Sequence, residues 1–258
     1  MKILWHIDCN IVTQNKGKEK MSYDISEVAA AGARRLTQLD FVANNLANAS
    51  TTGFKAEHLY YAMKGKEAQE GVRSDLGPTT TTIDFAQGTL QTTGNPLDVA
   101  IEGDGFFAIQ QNDGTTAYTR NGGFVLNKNT ELVTKNGAKV LGESGPISIN
   151  GTQINIDAEG TIRVDGNLAG KLKIVSFTNP EQLTRSSDGQ YVDDGNAGLK
   201  KNDTNRVSSG YLEASNVNAM KEMVEMIDGH RSFETYQKII QTITELDKIA
   251  TSRLGKLA

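Results

Sequence analysis

Three histidines, His6, His58 and His230, are the side chains best suited to proton transfer or metal ligation near neutral pH. A zinc-hydrolase helix places two of them four residues apart with a glutamate between, so that both ligands share one face. None of the three sits in such a pattern, and His230 falls near an apolar helical seam where a packing role is expected. The segment GDGFF, Gly103 to Phe107, suggests a phosphate-binding turn, but the third glycine and the following helix are missing. A turn feeding a strand fits it better. No serine lies in a G-x-S-x-G elbow. Asp98, Glu102 and Asp104 are close in sequence, yet nothing singles out an acid–base couple, and a solvated or turn-capping role is expected of each. The single cysteine, Cys9, allows neither an internal disulfide nor a cysteine metal cluster. The residues therefore point away from an enzyme, and no cofactor or metal is expected.

What remains is architecture. The chain has 258 residues, enough for one large domain or two modest ones. Only 37% of it is hydrophobic and 6% aromatic, with 26 glycines and 4 prolines, which fits short strands, many turns and a surface-rich form. A net charge of −4 offers no basic footprint, so nucleic acid is not an expected partner. No apolar run approaches the ~18–20 residues of a membrane span, so no membrane insertion is expected. Residues 1–20 carry an apolar patch too short and interrupted for a signal peptide. The run Lys16 to Lys20 can be encoded almost wholly by purines, as a ribosome-binding sequence would be. Met21 is then a candidate start, and residues 1–20 a translated leader or a disordered extension.

From Asp24 the apolar residues Ile25, Ala29, Gly32, Leu36, Leu39, Ala43 and Leu46 step by four and three, the seam of a coiled coil. Asp24 with Glu27 resembles a capping box, and Gly53 supplies a left-handed stop after about Ser50. The C-terminal end repeats the rhythm. After the potential caps Asn216 and Asn218 come Met223, Met226, Phe233, Tyr236, Ile240, Ile243, Ala250, Leu254 and Leu257, most of them in that rhythm, which Asp247 breaks. A helix from about Val217 nearly to the C-terminus is expected, paired with the first.

The middle has period two. Ile147 and Ile149, Ile154 and Ile156, and Ile162 and Val164 alternate with polar residues. They are cut by Asn150-Gly151, Glu159-Gly160 and Asp165-Gly166, strong hairpin signals. FFAIQQ, AYTR, GGFVLN, ELVT and AKVL read the same way. The expected fold class is α+β: long N- and C-terminal helices forming a coiled-coil-like domain, with an inserted antiparallel all-β domain. Its parts are a helix at 21–50, a connector with short strands at 51–96, the β domain at 97–205, a return connector at 206–215 and the second helix at 216–258. The connector includes the charged loop KGKEAQEGVRSD.

These residues resemble the bacterial flagellar rod and hook family. NNLANASTTGFK, from Asn44, is similar to its N-terminal signature. LDVAIEGDGFFAI, YTRNGGF and ELVTKNG are similar to its middle, and LEASNVNAMKEMVEMI with RSFETYQKIIQT to its C-terminal end. Within the family, GESGPISI resembles the proximal-rod type, with the distal-rod type as the alternative and the hook protein disfavoured by length. The resemblance implies a structural subunit of the drive shaft, exported by the flagellar type III apparatus without a cleavable signal. It also implies assembly in the periplasm with copies of itself and other rod proteins into a hollow helical tube, helices inside and β domains outside. A secreted β-rich adhesin or binding module with helical ends is the rival from another class.

On this view the subunit interface comprises Leu36, Leu39, Ala43, Leu46, Phe54, Met226, Phe233, Tyr236, Ile240, Ile243, Leu254 and Leu257. Asn44, Asn45 and Asn48 flank the seam. Asparagine is a poor helix former, and a neutral amide that donates and accepts could set register against adjacent subunits without the cost of desolvating an ion.

Overall fold

The computed structural model describes residues 5–63, 76–186, 189–201 and 205–254. The chain divides into two compact units, residues 1–44 with 220–258, and residues 45–219. The loop KGKEAQEGVRSD and Leu257 lie outside the described residues.

The first unit is helical. Helix α1 spans Trp5–Ala47 and helix α2 spans Ala219–Leu254. The capping-box expectation at Asp24 is corrected: α1 passes straight through it. A cap residue favours a start but does not impose one, and no proline between Trp5 and Tyr23 forbids helical backbone. The two helices meet where side chains are smallest. A Cβ built on Gly32 would lie 3.6 Å from Cβ of Tyr236, and one on Gly229 would overlap Cδ2 of Leu39.

The second unit is an antiparallel β assembly. Glu57–Met63 pairs with Leu76–Ile83, running from Glu57 opposite Ile83 to Met63 opposite Leu76. The main sheet is built around Phe106–Gln110, which pairs with Thr116–Thr119, Lys139–Gly142 and Ile174–Phe177. Residues 206–215, expected as a return connector, form two strands instead. Arg206–Ser209 pairs with Val99–Glu102, and Tyr211–Glu213 pairs with Leu90–Thr92. The isoleucine alternation becomes a three-stranded meander of Ile154–Ile156, Thr161–Val164 and Asn167–Lys171. Its second hairpin turns on Asp165 and Gly166, both at positive φ (51° and 85°), the double left-handed pair that matches strand twist.

The adjacent phenylalanines that end GDGFF, Phe106 and Phe107, are both buried. Successive strand residues point to opposite faces, and here both faces are covered. Phe107 enters a core with Val99, Ile101, Phe124 and Leu132. Phe106 enters a second core with Val175, Leu183 and Tyr191, ringed edge-on by Phe85 and Phe177. Each such buried side chain contributes roughly 1.5–3 kcal/mol, before the entropy of ordering the chain is subtracted.

Candidate functional site

The most heavily interconnected polar residues are Lys55, Arg120 and Glu213, all almost fully buried. Lys55 follows the turn that leads out of α1. There Thr51 N–H donates to Asn48 O (3.0 Å), and Gly53 takes φ +68°. Only glycine suits Gly53. Its φ is left-handed, and a Cβ would sit 2.6 Å from the carbonyl carbon of Arg120. That close passage delivers Lys55 inward.

Glu213, at the end of the last strand, gathers three segments. Its backbone carbonyl accepts from Gly53 N–H at 2.7 Å. Its Oε1 accepts from Lys55 Nζ at 2.5 Å and from Gly88 N–H at 2.9 Å. Its Oε2 faces Arg120 Nη1 at 3.5 Å. Lys55 Nζ also donates to Ala86 O at 2.7 Å, and Arg120 Nη1 donates to Gly103 O at 2.8 Å while its guanidinium stacks on Phe106. Burial pushes the Lys55 ammonium below the usual lysine range; Glu213 opposes that shift and Arg120 adds to it. Burial likewise lowers Arg120, against the pull of Glu213. One carboxylate between two cations thus holds together a group that would otherwise repel itself.

A second layer surrounds this cluster. Arg185 stacks over Phe54 (4.4 Å), donates to Lys55 O and pairs with Glu57 Oε2 at 3.4 Å. Asn216, expected as a helix cap, is used elsewhere. Its Oδ1 accepts from Ala56 N–H at 2.7 Å, and its Nδ2 donates to Asp84 O and Ala86 O. Asn45 does the same from the other side. Its Oδ1 accepts from Glu57 N–H and its Nδ2 donates to Glu57 O, both at 3.0 Å, a two-point clamp on the start of the strand. The site is a junction where the chain enters and leaves the β unit, with most of its polar groups paired with one another. Arg120 Nε and Arg185 Nε are buried without a hydrogen-bond partner, and Glu213 Oε2 has only its ion pair with Arg120. Among the described residues no group of three or more His, Cys, Asp or Glu side chains could hold a metal ion.

The interface residues expected from sequence scatter. Leu36 (43% exposed), Ala43 and Asn44 are exposed, whereas Leu39 and Leu46 are half-buried. Asn45 is buried, and its amide is bonded within the chain to Glu57. Asn48 is half-buried and its Oδ1 accepts from Thr51 Oγ1 at 3.1 Å. Phe54 is also buried, beneath Arg185. Met226, Phe233, Tyr236, Ile240 and Ile243 are half-buried on α2; Leu254 ends the helix and its side chain lies outside the described residues. Val42, missed from sequence, is buried where Ala43 was expected. Glu213 was also missed: the motif around it was visible, but nothing local marks a lone glutamate as buried.

Three family models match the chain. One described as "Flagella basal body rod protein" covers residues 29–55, one described as "Flagellar hook protein FlgE/F/G D1 domain" covers 100–164, and one described as "Flagellar basal body rod FlgEFG protein C-terminal" covers 208–253. Lys55, Arg120 and Glu213 fall one in each. The chain is 36% identical over 241 residues to the flagellar basal-body rod protein FlgF of Escherichia coli, spanning 87% of this chain and 95% of the relative. It is 34% identical over 251 residues to FlgF of Salmonella typhimurium, spanning 91% and 99%. To the flagellar basal-body rod protein FlgG of Bacillus subtilis it is 35% identical over 244 residues, spanning 81% and 90%.

Proposed function

The chain belongs to the family of flagellar basal-body rod proteins, structural subunits of the rod, and from that premise we propose that it polymerises through its terminal helices. The observation that carries this is a second apolar face on α2. Met226, Phe233, Tyr236, Ile240 and Ile243 are half-buried along one side. Met220 (72% exposed), Met223, Val224, Ile227 (54%), Leu246 (61%) and Ile249 are exposed. At roughly 100° per residue the two sets fall on opposite sides of the helix. A helix apolar on both sides is stable in water only when both are covered. One side is answered by α1 in a coiled-coil-like pair, and the other by neighbouring subunits. A head-to-tail contact that does not close on itself then yields a helical filament.

The chain is accordingly structural and not catalytic, and its partners are copies of itself and other rod proteins. GESGPISI and the FlgF relatives favour the proximal rod. Passage through the flagellar export apparatus to the periplasm, without a cleaved signal, completes the reading. Asn44 and Asn48 serve register between subunits, whereas Asn45 serves the fold.

The test is mass spectrometry of purified hook–basal bodies from cells carrying the chain or its Val224→Glu/Ile227→Glu variant. The parent chain is expected at a few copies per particle. The variant is expected to fold, with unchanged far-UV circular dichroism, and to be absent from the particles. Incorporation of the variant at the parent level would refute assembly through this face.

A further inference from the structure

Within their unit α1 and α2 run antiparallel, because Gly32 lies against Tyr236 while Leu39, further along α1, lies against Gly229, further back along α2. Each contact sets a small residue against a large one, and the order reverses from one contact to the next. The same register opposes Val28 to Ile240 and Ile25 to Ile243, all half-buried. Glycine is unfavourable in a helix interior relative to alanine. Two of them, one per helix and matched to a bulky partner, therefore need a packing reason.

A seam that repeats every heptad is nearly blind to a slip of one heptad, since apolar residues meet apolar residues either way. The glycines remove that degeneracy. A slip in one direction sets Tyr236 on Leu39, two large side chains in space that now holds one, with the overpacking that follows. A slip in the other direction sets Gly32 on Gly229 and leaves a void, while Tyr236 is driven onto Ile25. Only the observed register fills the seam evenly.

We propose that Gly32 and Gly229, through reciprocal contacts with Tyr236 and Leu39, lock the register of the two terminal helices. The lock determines how far along α1 each turn of α2 lies, and it rests on the helix pairing proposed above. Its test reads single chains, so a wrong register and a failed assembly give different results.

Disulfide trapping in the full-length chain, with Cys9→Ser as background, measures the register directly. A bridge forms only when Cα atoms approach within about 7 Å, and one heptad of slip moves them by about 10 Å. Val28→Cys/Ile240→Cys reports the observed register. Val28→Cys/Phe233→Cys reports the slip that opposes positions 32 and 229. The parent chain is expected to link only the first pair. Adding Gly229→Leu is expected to cut that yield at least tenfold and to raise the second, because the new side chain fits only opposite Gly32. Combining Leu39→Gly with Gly229→Leu exchanges knob and socket and is expected to restore the first pair. An unchanged first-pair yield in Gly229→Leu overturns the proposal. Should Gly229→Leu link neither pair, the exchanged variant decides: recovery supports the lock and no recovery overturns it. Normal linkage in chains that fail to assemble would count against the proposed function alone.

Discussion

Lys55 and Glu213 stand 158 positions apart in the chain and 2.5 Å apart in space, both without solvent. The contact closes the β unit on itself, because almost everything in that unit lies between them. Removing one member of a buried ion pair is far more costly than removing both, since the survivor keeps its desolvation penalty and loses its partner. Glu213→Gln should therefore destabilise the full chain by about 3–5 kcal/mol in urea unfolding. Lys55→Met added to Glu213→Gln should recover part of that loss. Purely additive losses would show that the two charges do not act as a pair.

Asn45→Ala deletes both arms of the clamp on Glu57. With the Glu57 amide and carbonyl left wanting, a loss of about 1–3 kcal/mol per unsatisfied group is expected. Hydrogen exchange locates it: the Glu57 amide should lose protection first. Unaltered protection there would mean the clamp is ornamental.

The three best-placed glycines should not respond alike to alanine. Gly32→Ala meets only ordinary contact with Tyr236 and removes a helix-interior glycine, so it should be neutral or stabilising by up to about 1 kcal/mol. Gly229→Ala has the same propensity gain and should still destabilise, because its Cβ overlaps Leu39. Gly53→Ala combines a left-handed φ with backbone overlap at Arg120 and Asn121, and should be the worst of the three. Thermal melts of the three variants give the order.

Acid sensitivity should be traceable in part to Glu131. It accepts from Lys139 Nζ and Asn127 Nδ2, both at 2.8 Å, and these bonds hold its carboxyl below the ordinary glutamate range. A folded value below the unfolded one, about 4.3, contributes stability that is fully present above the unfolded value. That contribution is lost as pH falls through the folded value. Glu131→Gln should flatten the acid side of a melting-temperature profile relative to the parent. Superimposable profiles would assign the acid limb to other carboxylates.

Asn44→Leu with Asn48→Leu should leave the chain folded but yield irregular or truncated assemblies by electron microscopy. Regular assemblies and normal motility would remove these asparagines from any role in subunit register.

Much of this was legible beforehand, for reasons that particular residues make plain. The meander was visible because Asp165-Gly166 marks a turn whatever surrounds it, and the isoleucines alternate on either side. The buried face of α1 was half visible. Ile25, Gly32 and Leu39 belong equally to a seam continued by Leu36 and Ala43 or by Arg35 and Val42. Apolarity favours the first, yet the structure half-buries Arg35, buries Val42 and exposes Leu36. A long arginine stem can lie along apolar surface, which hydrophobic patterning does not anticipate. The junction was the least legible part. Glu213, Arg120 and Lys55 are charged residues in turn-rich sequence, where solvent exposure is the reasonable default. Only tertiary pairing across the chain makes their burial tolerable.

Phe106 and Phe107 share a peptide bond and serve different cores. Two cores joined by an interface can shear past one another once that interface yields. Here the boundary is crossed by a covalent strand, wedged on each side by an aromatic ring. A twisting load taken up by one core thus reaches the other along main-chain bonds, and the two must rotate as a single stiff element.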